Sequence, residues 1–121
     1  MTIYMGYKQI KSFEERKSES QKIRDKYPDR VCIICEKAPN AGNVKNIEKI
    51  KYLVPNTLTM GQFIHIIRKK VDIEACKSLF LFVNNRVVPP TTTEMGRLYD
   101  QYKDKDDLLY LTYATENTFG N

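Results

Sequence analysis

Histidine occurs once in this 121-residue chain and cysteine three times. No apolar run approaches the ~20 residues that a membrane-spanning helix needs. The first residues also lack a signal-peptide pattern, so any membrane role is expected to come from attachment or from a partner. Neither an internal repeat nor a low-complexity segment is present. An odd number of cysteines argues against a secreted disulfide framework and fits a reducing cytosol. Cys32 and Cys35 form a C-x-x-C inside the apolar run Val31-Cys32-Ile33-Ile34-Cys35. In a strand, residues three apart point to opposite faces, so this pair cannot grip one metal, and no second ligand pair accompanies it. Core or pocket lining is the expected role of both thiols.

The composition that is present, 41% hydrophobic and 29% charged, is that of an ordinary globular chain. At 121 residues, one domain with a single core is expected. The net charge is +5 and is unevenly placed: residues 1–51 hold twelve Lys/Arg against seven Asp/Glu, and residues 52–121 hold eight of each. One basic face follows, with acidic peptides, nucleic acid or anionic lipid as candidate partners.

The organising stretch is Lys51-Tyr52-Leu53-Val54-Pro55. Lys51 and Leu53 alternate with Tyr52 and Val54, as a short strand requires, and Pro55 removes a backbone donor, which suits a sheet edge. An edge with open hydrogen-bonding groups can accept a strand from another protein.

Along the chain, residues 1–11 read as a loose or short helical lead-in, with Ile3, Tyr4 and Tyr7 free to pack. Ser12 with Glu15 forms a capping box, and a highly charged helix is predicted from Phe13 to about Lys26. Phe13, Ile23 and Tyr27 are its only large apolar residues, and so few anchors suit a helix laid on a finished domain. Val31–Glu36 reads as a strand, Ala38–Asn46 as a loop, and Lys51–Val54 as the second strand. Thr59 with Gln62 caps a helix from Met60 to Lys70 whose stripe Met60, Phe63, Ile64, Ile67 and Val71 should fill the core. The only histidine, His65, falls on the opposite, solvent side near Lys69 with no partner ligand. Leu79–Val83 is an apolar strand and Asn84-Asn85 begins a turn. Met95, Leu98, Tyr99 and Tyr102 mark a short helix from Glu94 to about Lys103. Asp104–Asp107 is a charged turn before a last strand, Leu108–Ala114. Two strands, a core helix, then two more strands is a β-grasp order. The expected class is α+β, with a four-stranded mixed sheet and an N-terminal helical extension.

With those segments in place, the chain resembles the autophagy ubiquitin-like modifier family, the lipid-conjugated proteins that include GABA-A-receptor-associated protein. The resemblance runs from Phe13 to Gly120. It is carried by Phe13-Glu14-Glu15-Arg16-Lys17-Ser18-Glu19, Tyr27-Pro28-Asp29-Arg30-Val31, Ile34-Cys35-Glu36-Lys37-Ala38, Lys51-Tyr52-Leu53-Val54-Pro55, Gly61-Gln62-Phe63, Ile67-Arg68-Lys69 and Phe119-Gly120. It implies a ubiquitin-like β-grasp over residues 28–114, a helical extension over 1–27 packed on it, and a flexible tail over 115–121.

The resemblance also implies a tag, not an enzyme. A cysteine protease recognising Phe119 would remove Asn121. The Gly120 carboxylate would then pass through ubiquitin-like activating and conjugating enzymes to phosphatidylethanolamine, with no cofactor beyond that covalent lipid. Location would be cytoplasmic, moving after lipidation to autophagosome or vacuole/lysosome-related membranes. Cargo receptors with aromatic-x-x-aliphatic motifs would add a strand at Lys51–Val54. By the family pattern, the aromatic pocket maps onto Glu19, Ile23, Cys32, Ile34, Lys51, Leu53 and Leu108. The aliphatic pocket maps onto Tyr52, Val54, Pro55, Leu58, Phe63 and Ile66. Arg30, Lys49, Lys51 and Lys70 would meet a partner's acids, and Phe80, Leu81, Phe82 and Val83 resemble a second docking strand.

This chain departs from the family pattern in having Cys32 for a usual Pro, Leu108 for a usual Phe, and Ile50 for a usual basic residue. It also has one extra residue in the Ala38–Asn46 loop. The rival reading, a small basic nucleic-acid-binding domain, draws on a pI near 9.1 and on eight Tyr and five Phe that could stack bases. Seven acids mixed into the basic half count against it.

Overall fold

Alternating apolar residues at period two and one strongly apolar helical stripe combine in a single sheet with a helix packed across it. The computed structural model describes residues 6–39, 41, 44–73 and 77–115. The strands are β1 (Arg30–Lys37), β2 (Lys51–Pro55), β3 (Phe80–Val83) and β4 (Leu109–Ala114), and the helices are α1 (Tyr7–Ile10), α2 (Phe13–Lys26), α3 (Met60–Val71) and α4 (Met95–Tyr102). The sheet order is β2-β1-β4-β3, with β1 and β4 parallel and both outer pairs antiparallel. This is the expected mixed four-stranded β-grasp. Among the described residues, β2 and β3 are the two edges.

Both expected capping boxes form. Ser12 accepts from the Glu15 amide and Glu15 reaches back to the Ser12 amide; Thr59 and Gln62 do the same for α3. Such caps fix helix starts by satisfying amides that have no partner in the first turn. The α3 stripe Met60, Phe63, Ile67 and Val71 is buried, with Ile64 half-buried beside it, and His65 faces solvent. It packs with Val31, Ile33 and Cys35 from one face of β1, and with Leu109, Leu111 and Tyr113 of β4. Helix α4 adds Met95, Leu98 and Tyr99 to this core. A Cβ at Gly96 would meet the Asn56 Cβ at 3.0 Å, so glycine lets α4 close on the turn after β2.

The boundaries shift slightly from expectation. Glu94 is the α4 N-cap, while Leu79 and Leu108 lie just outside their strands, although both are buried. The Ala38–Asn46 loop is less peripheral than its composition implies: Ala41 and Val44, with Ile47 just beyond, enter the core, and the Tyr113 hydroxyl accepts from the Ile47 amide and donates to the Lys45 carbonyl.

Helix α2, expected to have few apolar anchors, is attached mainly through polar groups. Phe13 is 43% exposed, and Ile23 and Tyr27 are only half-buried. The buried residues of α2 are Arg16 and Ser20. Arg16 pairs with the fully buried Asp106, and the Ser20 hydroxyl donates to the Asp106 carbonyl. Asp106 also accepts from the Tyr110 hydroxyl (2.6 Å) and the Leu108 amide (2.9 Å). Burial, then this bond to Asp106, pushes the Tyr110 hydroxyl pKa upward. An ion pair spanning 90 positions therefore docks α2 onto the turn that leads into β4.

Candidate functional site

Strand β2 sits at the sheet edge with its outer side unpaired among the described residues. It pairs Leu53 with Cys32, Lys51 with Ile34 and Val54 with Val31. The alternation divides its neighbours into two flanks: Tyr52 and Val54 are buried toward α3, and Lys51 and Leu53 are half-buried toward α2.

On the α3 flank, Tyr52 and Phe63 meet edge to face with centroids 5.4 Å apart. The Tyr52 hydroxyl donates to the Lys49 carbonyl at 2.7 Å. Tyr52, Val54 and Phe63 are buried walls, Leu58 and Ile66 are half-buried, and Pro55 is exposed at the end of the strand. Of the six residues expected to form the aliphatic pocket, Tyr52, Val54, Leu58 and Phe63 thus belong to one cluster beside β2.

On the α2 flank, Cys32, Ile34 and Leu108 form a second small core, with Ile23 and Leu53 packed against it. Glu19 stands over this cluster and accepts from Lys51 (2.9 Å) and from Lys11. Hydrogen bonds from Lys11, then Lys51 and Tyr7, hold the Glu19 carboxyl down to about 2. Burial alone would lower the Lys51 ammonium, but the Glu19 bond and nearby groups leave it raised. All seven residues expected at the aromatic pocket are therefore gathered on one flank. Cys32, Ile34 and Leu108 are covered rather than open: they are 6%, 0% and 1% exposed. The residue that sequence reasoning did not place here is Tyr7, which is buried in the same cluster. Its signal was one of two tyrosines in the lead-in segment, with nothing local to say what it covers.

The cations expected to meet a partner's acids divide. Arg30, Lys49 and Lys70 are exposed, whereas Lys51 is held by Glu19. At the other edge of the sheet, Leu81, Phe82 and Val83 are buried and Phe80 alone is half-buried, with the Phe80 and Phe82 rings stacked 6.4 Å apart. Cys32 and Cys35 point to opposite faces, into different clusters. Burial raises the Cys32 thiol to about 11 and the Cys35 thiol further, which leaves both as unreactive thiols. Phe119, Gly120 and Asn121 lie outside the described residues.

A family model described as "Autophagy protein Atg8 ubiquitin like" matches residues 15–120. The chain belongs to the Atg8 family. Autophagy-related protein 8e of Arabidopsis thaliana is 51% identical over 114 residues, 94% of this chain and 92% of that protein. Autophagy-related protein 8 of Schizosaccharomyces pombe is 49% identical over 109 residues, 90% of this chain and 88% of that one. The crystal structure of Trypanosoma brucei ATG8 superposes with a TM-score of 0.85 at 41% identity, covering 98% of this chain and all of that one. Membership fixes the coarse role, that of a ubiquitin-like protein of autophagy. The family match ends on Gly120. None of the helices among the described residues is long and apolar enough to cross a membrane.

Proposed function

We propose that this Atg8-family chain is a covalent membrane tag and not a catalyst. A cysteine protease hydrolyses the Gly120–Asn121 bond, and an activating enzyme transfers AMP from ATP to the freed Gly120 carboxylate, releasing pyrophosphate. An enzyme thiolate displaces AMP to form a thioester, which passes to a conjugating enzyme. The amine of phosphatidylethanolamine then attacks the thioester, forming an amide and releasing the thiol. The tag moves from cytoplasm to autophagosomal or vacuole/lysosome-related membranes through that lipid, and there recruits cargo receptors and autophagy factors.

The observation that carries the recruiting half of the reading is β2 itself, an edge unpaired among the described residues with an apolar flank on each side. An aromatic-x-x-aliphatic segment adding as a strand would send its two anchors to those flanks, and Arg30, Lys49 and Lys70, which are exposed, would meet acids beside the motif. Burial of the rings of Phe63, Phe82 and Tyr113 takes them away from any base-stacking surface, which weakens the nucleic-acid reading. Two buried anchors at roughly 1.5–3 kcal/mol each, less the cost of association and ordering, give affinities on the order of micromolar. Crowding of many tags on one membrane would raise the effective strength.

The deciding experiment is reconstitution with activating and conjugating enzymes and phosphatidylethanolamine liposomes. Intact and peptide mass measurement should show a chain ending at Gly120 joined to one lipid. An unmodified chain, or a lipid on another residue, would defeat the tag reading. The docking half is tested separately by Leu53→Ala, which shortens a half-buried wall of the α2 flank. Loss of roughly 1–1.5 kcal/mol of apolar contact should weaken an aromatic-x-x-aliphatic peptide by about tenfold in isothermal titration. Unchanged affinity would place the peptide elsewhere.

A further inference from the structure

The flank expected to take a partner's aromatic ring already holds one from the chain itself. Tyr7 is 5% exposed and forms one cluster with Cys32, Ile34 and Leu108, against which Ile23 and Leu53 pack. Its hydroxyl donates to Glu19 at 3.0 Å, and the ammonium groups of Lys11 and Lys51 stand 5.8 and 5.9 Å from its ring centre. Its backbone amide donates to Glu36 at 2.8 Å. Interiors are close-packed, so a second ring cannot enter this cluster while the first remains.

We propose that Tyr7 is an intramolecular occupant of the aromatic pocket, and that a partner's aromatic anchor docks by displacing it. The proposal rests on the docking reading of β2 given above. Three features make displacement feasible. Helix α1 has four residues, far short of a length that is stable alone, so contacts rather than helix propensity hold it in place. Beyond the Tyr7 ring those contacts are polar and at least partly exposed: the Tyr7 amide donates to Glu36 (2.8 Å), Lys11 pairs with Glu19, Lys8 pairs with Asp104 at the surface (2.7 Å), and Gln9 caps the Gly6 amide. Removing Tyr7 also strands no charge, because Glu19 keeps Lys11 and Lys51 as partners. Among the described residues the α3 flank has no corresponding occupant, and its Leu58 and Ile66 are half-buried. Docking would then begin on the aliphatic side and complete on the aromatic side as α1 lifts.

A closed pocket reduces apparent affinity by the fraction of molecules that are open, so an open fraction of ~10% would mask about tenfold of the intrinsic affinity. Isothermal titration of one acidic Trp-x-x-Leu peptide into the full chain, Tyr7→Ala, Tyr7→Phe and Leu53→Ala provides the test. Tyr7→Ala should bind about tenfold tighter. Tyr7→Phe, which keeps the ring and loses the Glu19 bond, should fall between it and the native chain. In parallel, the Tyr7 ring resonances of the native chain should move from a buried to a solvent-exposed environment as the peptide saturates. This readout stands even where Tyr7→Ala folds poorly. A peptide that responds to Leu53→Ala but is indifferent to Tyr7→Ala, with the Tyr7 ring unmoved at saturation, overturns the displacement and leaves the docking reading standing. A peptide that fails to bind the native chain and every variant overturns both.

Discussion

Asp106→Ala is expected to lower the thermal unfolding midpoint by more than about 10 °C and to abolish aromatic-x-x-aliphatic peptide binding with it. Asp106 is fully buried and gathers the Arg16 guanidinium, the Tyr110 hydroxyl and the Leu108 amide on its carboxylate. Removing it leaves Arg16, whose side chain is 10% exposed, as a charge without its carboxylate in a largely dry site. Breaking one partner of a buried pair costs about 3–5 kcal/mol, a large share of the ~5–15 kcal/mol that holds a domain together. For a chain of this size that loss corresponds to a shift of ten degrees or more. Function follows because α2 carries Glu19 and Ile23, while the Asp106 turn positions Leu108, and all three belong to the same flank of β2.

Two comparisons isolate the cause. Asp104→Ala removes the exposed pair with Lys8 and a 3.2 Å bond from the Asp106 amide but strands no buried charge, and should cost under about 2 kcal/mol. Replacing both buried partners, Arg16→Met with Asp106→Leu, should recover much of the stability lost by Asp106→Ala, because no orphaned charge remains. A midpoint for Asp106→Ala within two degrees of the native chain would show that α2 is held by something else.

The contrast between α3 and α2 shows which structure a sequence makes legible. The core of α3 is written locally: a cap at Thr59, its return bond from Gln62, and Met60, Phe63, Ile67 and Val71 at helical spacing all lie within thirteen residues. The strands are equally local, so β1 divides its side chains between two clusters at period two, as the alternation requires. For α2 the local signal gave the span and the cap but not the attachment. Arg16 and Asp106 are distant in sequence, and each reads as one more surface charge in a charged segment. Only the sheet, by running β4 beside β1, brings the turn before β4 under α2.

The candidate site divides in the same way. The edge character of β2 was legible from its length, its alternation and Pro55, and the resemblance supplied the residues of both flanks. Whether the aromatic flank is open depends on Tyr7, placed by tertiary contacts with Glu19 and Glu36 that no local pattern announces. The strand at Phe80–Val83 is the reverse case. A continuous apolar run suits either a docking surface or a core, and Leu81, Phe82 and Val83 lie in the core.

Gly120→Ala is expected to reduce lipid attachment by about a hundredfold or more while leaving the unfolding midpoint unchanged. In the proposed reaction each transfer step needs a nucleophile at the Gly120 carbonyl: water or a protease thiolate first, then the conjugation thiolates, then the lipid amine. Glycine lacks a Cβ, so an extended chain ending in it can enter a narrow channel and present both faces of its carbonyl. One added methyl group obstructs that approach at every step, and misplacement of a reacting carbon by about 1 Å is enough to cost a hundredfold in rate. The fold should not register the change, because the described core is complete by Ala114. Time courses with the enzymes and phosphatidylethanolamine liposomes, read by mass, separate the steps. Accumulation of the chain still carrying Asn121 would locate the block at the protease. A chain truncated at residue 120 and free of lipid would locate it at conjugation. Lipidation of Gly120→Ala at the native rate would show that the reacting carbonyl belongs to another residue, and the tag chemistry assigned to this terminus would fall with it.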